Sequence, residues 1–189
     1  MEFDAIFLAG PQGSGKGTQG KRLAQKLGFL FWEMGKMLRD ISHEDSPLGK
    51  KVSVMNDGVL LTDEVIMEVL QDRLPPVMTP GQGIVFDGVP RRLGQAKFLV
   101  EFLREQKMDR METIFIELPR EECIRRLTLR SQHESRKDDT PEGIETRFRF
   151  YDDAMKPAMD YLKTQTKFIS VDGVGDPAVV FDRISSALR

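Results

Sequence analysis

The sequence predicts a doubly wound α/β fold, in which a five-stranded parallel sheet carries helices on both faces. Three observations predict it. Five short apolar runs recur along the 189 residues. Amphipathic stretches of helical length separate them. A glycine-rich loop joins the first apolar run to the first amphipathic stretch. Continuous apolar runs suit strands buried on both sides, and strands that alternate with helices imply right-handed βαβ crossovers.

The strands read as "FDAIFLA" (3–9), "FLFW" (29–32), "GIVFD" (83–87), "TIFIEL" (113–118) and "KFISV" (167–171). The first helix, "KGTQGKRLAQKLG", ends in Gly28, a suitable C-cap. The next long one, "TDEVIMEVLQDRL", starts with Thr62 as N-cap and acids in its first turn, and Pro75-Pro76 stops it. "LGQAKFLVEFLREQK" and "REECIRRLTLR" follow. "DPAVVFDRISSAL" opens with Asp176 as cap and Pro177 in the first turn. Two regions break the rhythm. Residues 33–62 hold only short helical patterns and read as an inserted substrate-binding subdomain. "SQHESRKDDTPEG" (131–143) is polar and punctuated by Gly and Pro, and reads as a mobile loop.

Composition narrows the class. Hydrophobic residues make up 40% and charged residues 31%, as in a globular domain that needs no staples. A net charge of −2 argues against a general nucleic-acid or membrane-surface binder. The single Cys123 excludes an intrachain disulfide and a cysteine zinc site, is expected to be half-buried on its helix, and suits a reducing cytoplasm. His43 and His133 lie in polar stretches with no ligand-spaced partner. A cytoplasmic monomer without a membrane span is the expectation.

"GPQGSGKGTQ" (10–19) approaches the phosphate-loop pattern G-x-x-x-x-G-K-[ST], but Gly17 follows Lys16 and the hydroxyl arrives one place late, at Thr18. Its setting, after a strand and opening a helix, is that of a P-loop NTPase-type site. Glycines let backbone N–H groups converge on an anion, the helix start adds partial positive charge, and Lys16 can reach β and γ phosphates. With no hydroxyl directly after Lys16, Mg2+ must arrive on the nucleotide and be steered through its waters. Asp87, at the end of "GIVFDG", is placed to bind those waters.

"GPQGSGKGTQ", "GKMLR", "LLTDE", "DGVPRRLGQA", "RLTLR", "RKDD" with the later Arg147, and "VDG" occur in order across essentially the whole chain. Together they resemble the adenylate kinase family of nucleoside monophosphate kinases, in which the Lys-Gly-Thr order is normal. The resemblance implies transfer of the γ-phosphoryl of ATP to a monophosphate, AMP above others. It implies that Gly13, Ser14, Gly15, Lys16, Gly17 and Thr18 hold the donor's phosphates. Arg126 would lie against the donor adenine, with the backbone around Gly173 and Gly175. Arg39 and Arg91 match arginines on the acceptor's phosphate. Gln95 matches a residue that hydrogen-bonds the acceptor's base, and "GVLLT" (58–62), with Leu60, the stretch that encloses it. Met34, Gly35 and Gly88 are expected to bind the acceptor as parts of the same elements. Arg130, Arg136 and Arg147 match arginines around the transferred phosphoryl, and Asp138 and Asp139 acids that anchor the lid. The implied layout is a core of 1–32, 63–130 and 140–189, an acceptor-binding insert at 33–62 and a short lid at 131–139. Arg126 and Arg130, four apart on a helical pattern, project from one face.

The acceptor side departs from the family pattern. Met34 stands where a small or hydroxyl residue is usual, and Lys36 where an Asp helps hold magnesium's waters. Val89 replaces a Phe near the acceptor base, and Trp32 and Glu33 are also unusual there. Lys36 is expected to meet an acceptor phosphate or to pair with Asp87. The departures leave open a kinase for CMP, UMP or dAMP, and an impaired relative that binds nucleotides as a sensor or partner module. A GTPase-like switch lacks its guanine-reading N-K-x-D element.

Overall fold

The structure is a computed structural model that describes residues 3–57, 59, 61–133, 148 and 154–188. Strands β1 (Ala5–Ala9), β2 (Leu30–Glu33), β3 (Ile84–Asp87), β4 (Met111–Glu117) and β5 (Lys167–Asp172) form one parallel sheet in the order β2-β3-β1-β4-β5. Each strand lies within two residues of its sequence reading. The α-helices among the described residues are α1 (Lys16–Leu27), α2 (Met34–Ser42), α3 (Pro47–Ser53), α4 (Asp63–Arg73), α5 (Leu93–Glu105), α6 (Arg120–His133), α7 (Lys156–Gln165) and α8 (Pro177–Ala187). The doubly wound α/β expectation therefore holds.

Strand β1 is buried throughout and feeds two cores through the two-residue alternation of a strand. Ala5, Phe7 and Ala9 enter the larger core with Leu70, Phe86, Leu99, Leu103 and Leu162. Ile6 and Leu8 enter the smaller one with Leu23, Val85, Ile116, Val180 and Ile184. The larger core draws on α2 to α5 and α7, and the smaller one on α1 and α8, so both faces are covered. Phe7 and Phe86 stack across β1 and β3 at 5.2 Å between ring centroids.

The helix ends mix agreement with correction. Gly28 caps α1 in the left-handed conformation, φ 70°. Thr62 and Asp176 occupy the N-cap positions in extended backbone, but neither side chain accepts a backbone N–H of its helix. The Glu64 carboxyl is held below its usual range first by its own backbone N–H and then by the Thr62 hydroxyl. Helix α7 was absent from the sequence reading. Met155, Ala158, Met159 and Leu162 are buried at the i, i+3, i+4, i+7 spacing that could have revealed it. Cys123, expected to be half-buried, is fully buried and packs with Leu118, Leu127 and Phe148. His43 is exposed.

Removing the Phe86 ring opens a cavity beneath both β1 and β3. Phe86→Ala is expected to cost about 3–5 kcal/mol in urea unfolding, and a cost below about 1 kcal/mol would place the sheet's anchoring elsewhere.

Candidate active site

The loop after β1 runs at the centre of the sheet's C-terminal edge, where doubly wound folds bind ligands. Its glycines serve different needs. A Cβ on Gly10 (φ 136°) would collide with the Ile116 carbonyl oxygen of β4. One on Gly13 (φ 83°) would come 2.9 Å from the Cys123 carbonyl oxygen of α6. Gly15 (φ 91°) has nothing within 4 Å of that position, so its glycine serves the backbone turn into α1 and faces open space. The loop is thus packed against β4 and α6 on one side and open on the other.

Lys16 Nζ donates to the carbonyl oxygens of Gly10 (2.9 Å) and Pro11 (2.8 Å), which curls the side chain back over the loop. Ser14 is buried at 1% exposure, and its Oγ has no hydrogen-bond partner among the described residues. A buried hydroxyl without a partner costs stability unless something completes it, and an anion in the loop would do so. Thr18 is exposed on the first turn of α1.

Beside the loop lies a cavity of about 620 Å³ lined by Gly13, Ser14, Gly15, Thr18, Gln19, Glu122, Arg125, Arg126, Val174, Gly175, Asp176, Pro177 and Val180. Its far wall is the turn after β5. Gly173 pins that turn to β4 through its N–H on Glu117 O (2.7 Å), and a Cβ there would come 2.6 Å from Ile116 Cγ2. Arg126 ties the walls together. Its Nε donates to Glu122 Oε1 (2.7 Å) and its Nη2 to the carbonyl oxygens of Gly173 (3.1 Å) and Gly175 (3.4 Å). Arg125 and Arg126 hold the Glu122 carboxyl down to about 2. Gln19 was missed by sequence reasoning. It is buried on α1 and donates from Nε2 to Pro177 O (2.9 Å), which joins the loop's helix to the same wall. A polar residue one place past Thr18 was its only signal.

Near Lys16, the ends of β2 and β3 bring a second group of polar residues together. Glu33 and Asp87 are register partners on these parallel strands. Asp87 Oδ2 lies 3.2 Å from where a Cβ on Gly17 would sit, so Gly17 leaves room for this carboxylate. Burial pushes the Asp87 carboxyl up, Lys16 and Arg91 oppose the shift, and Glu33 adds to it. A Cβ on Gly88 (φ 85°) would lie 3.4 Å from Met34 Cβ, 3.6 Å from Arg91 Nη2 and 3.8 Å from Gly35 N. Arg39 reaches back over Gly35, and its Nη2 lies 3.5 Å from Glu33 Oε1. Gln95 is buried; its Oε1 accepts from Arg91 N (2.8 Å) and its Nε2 donates to Asp63 Oδ1 (2.8 Å).

Met34 and Val89 are each 2% exposed and belong to the larger core. Lys36 does not pair with Asp87. Its Nζ bonds Asp40 Oδ2 at 2.6 Å on the exposed face of α2, because a residue four along one helix is nearer than one on β3. Arg126 and Arg130 both fall within α6. The side chain of Arg130, and Gly58, Leu60, Arg136, Asp138, Asp139 and Arg147, lie outside the described residues.

A cavity and a cluster of charged residues at the ends of β2 and β3 thus adjoin the glycine-built loop that carries Lys16. The profile of the family described as "Adenylate kinase" matches residues 8–167, most of the chain. The chain belongs to the adenylate kinase family. It is 37% identical to the "Adenylate kinase" of Thermus thermophilus over 185 residues, which covers 97% of this chain and 96% of the relative. The "Adenylate kinase" of Maricaulis maris is 35% identical, with 97% and 98% covered. That of Caulobacter vibrioides is 37% identical over 187 residues, with 97% and 96% covered.

Among the described residues of this adenylate kinase family member, no three His, Cys, Asp or Glu side chains group as a metal cage. The donor set therefore fits a cation that brings its other ligands with it. One partly exposed carboxylate, Asp87, stands within 3.2 Å of the Cβ position that Gly17 leaves empty. No described helix is long and apolar enough to cross a membrane.

Asp87 also gives a pH signature. Its folded-state value lies above that of the unfolded chain, so the stabilisation from its proton is complete at low pH and lost as pH rises through the folded value. At neutral pH the charged carboxyl carries a burial cost that an amide does not. Asp87→Asn is expected to melt above the parent at neutral pH, and the gap should close near roughly pH 3. A variant that melts lower at neutral pH would show that Lys16 and Arg91 outweigh burial.

Proposed function

We propose that this enzyme transfers the γ-phosphoryl group of ATP to AMP, which yields two ADP. The observation that carries the reading is the place of Lys16, in a loop beside the cavity of about 620 Å³ and electrostatically coupled, with Arg91, to Asp87. In this reading the cavity takes the donor nucleotide, the residues around Asp87, Gly88 and Arg91 take the acceptor, and the phosphates meet over the loop. The homologues named adenylate kinase support the same reaction and none favours another acceptor.

In the transfer, the bond from the γ-phosphorus to the β–γ bridging oxygen of ATP breaks, and a phosphate oxygen of AMP forms the new bond. The protein's task is to position the two nucleotides and balance their charge. Lys16 leaves the Gly10 and Pro11 carbonyl oxygens for the donor's phosphates, and the N–H groups of Gly13 to Thr18 complete the cradle. Arg126 and the Gly173–Gly175 backbone border the donor base. Arg39 and Arg91 meet the acceptor's phosphate, and Gly35, Gly88, Gln95 and Leu60 border its base. Met34 supports this region from the core. Arg130, Arg136 and Arg147 gather at the transferred group, where planar, permanently charged guanidinium groups suit a spread of negative charge. Asp87 would hold the waters of a Mg2+ that arrives with ATP, and that cation would supply neutralisation of phosphate charge. Residues 33–62 serve as the acceptor-binding insert and 131–139 as a short lid that keeps water from the donor. The protein is a cytoplasmic monomer in this reading.

An assay of ADP production with a panel of monophosphates tests the proposal. Turnover is expected with AMP above CMP, UMP and dAMP, and ATP binding without turnover on any acceptor would overturn it. Lys16→Met should remove most turnover and leave the circular dichroism spectrum unchanged; near-parental rates would sink the role given to the loop. Lys36→Asp should keep activity, because an exposed i,i+4 pair contributes about 0.3–0.5 kcal/mol. Complete loss in that variant would instead reveal a direct role for Lys36.

A further inference from the structure

We propose that Asp63 is a positioning residue that sets which class of nucleobase the acceptor site accepts, by fixing the direction of the Gln95 amide. This rests on the proposed function, in which Gln95 meets the acceptor's base.

The amide of Gln95 is held from both ends. Its Oε1 accepts the backbone N–H of Arg91 at 2.8 Å. Its Nε2 donates to Asp63 Oδ1 at 2.8 Å. A backbone N–H can only donate and an ionised carboxylate can only accept, so both partners dictate the same orientation. Reversing the amide would set NH2 against N–H and oxygen against carboxylate in a residue only 5% exposed.

Asp63 is itself held in place. It lies in the first turn of α4, where the helix dipole favours a carboxylate. Arg92 Nε lies 3.6 Å from the same Oδ1, and a Cβ on Gly94, in the first turn of α5, would come 3.6 Å from Oδ2. The carboxylate therefore bridges the starts of two helices and has little freedom to release Gln95.

A side-chain amide has two N–H donors and two oxygen lone pairs. The protein uses one of each. The remaining donor and acceptor stand side by side in fixed order. Adenine offers a ring acceptor beside an amino donor, and cytosine does the same. Hypoxanthine, guanine and uracil offer a ring N–H beside an oxo group, which is the reverse order. In one pose of the base, a locked amide matches one class and opposes the other. An amide held by the Arg91 N–H alone would turn over more readily and discriminate less. With adenine as the base, Asp63 therefore generates discrimination against 6-oxopurines.

The test is kcat and KM for AMP and for inosine monophosphate, with ATP as donor, in the parent, Asp63→Ala, Asp63→Asn and Gln95→Ala, with a thermal melt of each. Asp63→Ala is expected to raise KM for AMP, leave its kcat within about twofold, and lower the AMP-to-inosine-monophosphate ratio of kcat/KM about tenfold, the scale of one hydrogen bond to a charged group. Asp63→Asn keeps an acceptor oxygen and should restore the ratio to near the parent's. If Asp63→Ala melts below the assay temperature, Asp63→Ser replaces it, since serine suits a helix start but falls short of Gln95. An unchanged ratio in the Asp63 variants, with a lowered one in Gln95→Ala, overturns the proposal alone. Equal loss in Asp63→Asn and Asp63→Ala overturns it too, because charge rather than orientation would then be responsible. If Gln95→Ala changes neither KM nor ratio, the reading that Gln95 meets the base fails.

Discussion

The site depends on the burial of one strand. All five residues of β1 are sequestered between two cores, and removing such apolar surface from water is the main force that holds a domain together. The glycine-rich loop at the end of β1 inherits that rigidity. Gly10 fits against the β4 backbone and Gly13 against α6 with no room for a side chain. The path of the loop is therefore fixed by the packing beneath it. The cost is local: a buried hydroxyl on Ser14 without a partner among the described residues, and a lysine curled onto its own loop.

The same sheet separates the cavity from the charged cluster. The turn after β5 and helix α6 wall the cavity through Arg126 and Gly173. The ends of β2 and β3 build the other side and bring Glu33 and Asp87 into register. Burial raises the proton affinity of Asp87, and the neighbouring Glu33 adds to it. Lys16 and Arg91 offset part of this strain. A cation carried by a nucleotide would offset more.

Much of this was readable in the residues. Continuous apolar runs marked the strands because the sheet is covered on both faces. The phosphate loop was recognisable because backbone convergence on an anion needs glycine at set positions, and its setting between strand and helix confirmed it. Helix α7 went unread even though its buried residues repeat at helical spacing, because Lys156-Pro157 and a polar C-terminal half obscure the pattern. The caps were half-read. Thr62 and Asp176 stand at the helix starts, but a hydroxyl has several possible partners, and Thr62 bonds Glu64 instead.

The sequence by itself determined what depends on local pattern: the alternation of strands and helices, the Lys-Gly-Thr loop, the acid at the end of β3, and the family. Tertiary structure alone decided what depends on distances between segments far apart in the chain. It turned Lys36 toward Asp40, placed Met34 and Val89 in the core, joined Gln19 to Pro177, and set Asp63 against Gln95 across 32 positions. A residue type limits the hydrogen bonds it can make. Only the packing of elements brings one partner to 2.8 Å and leaves the others out of reach.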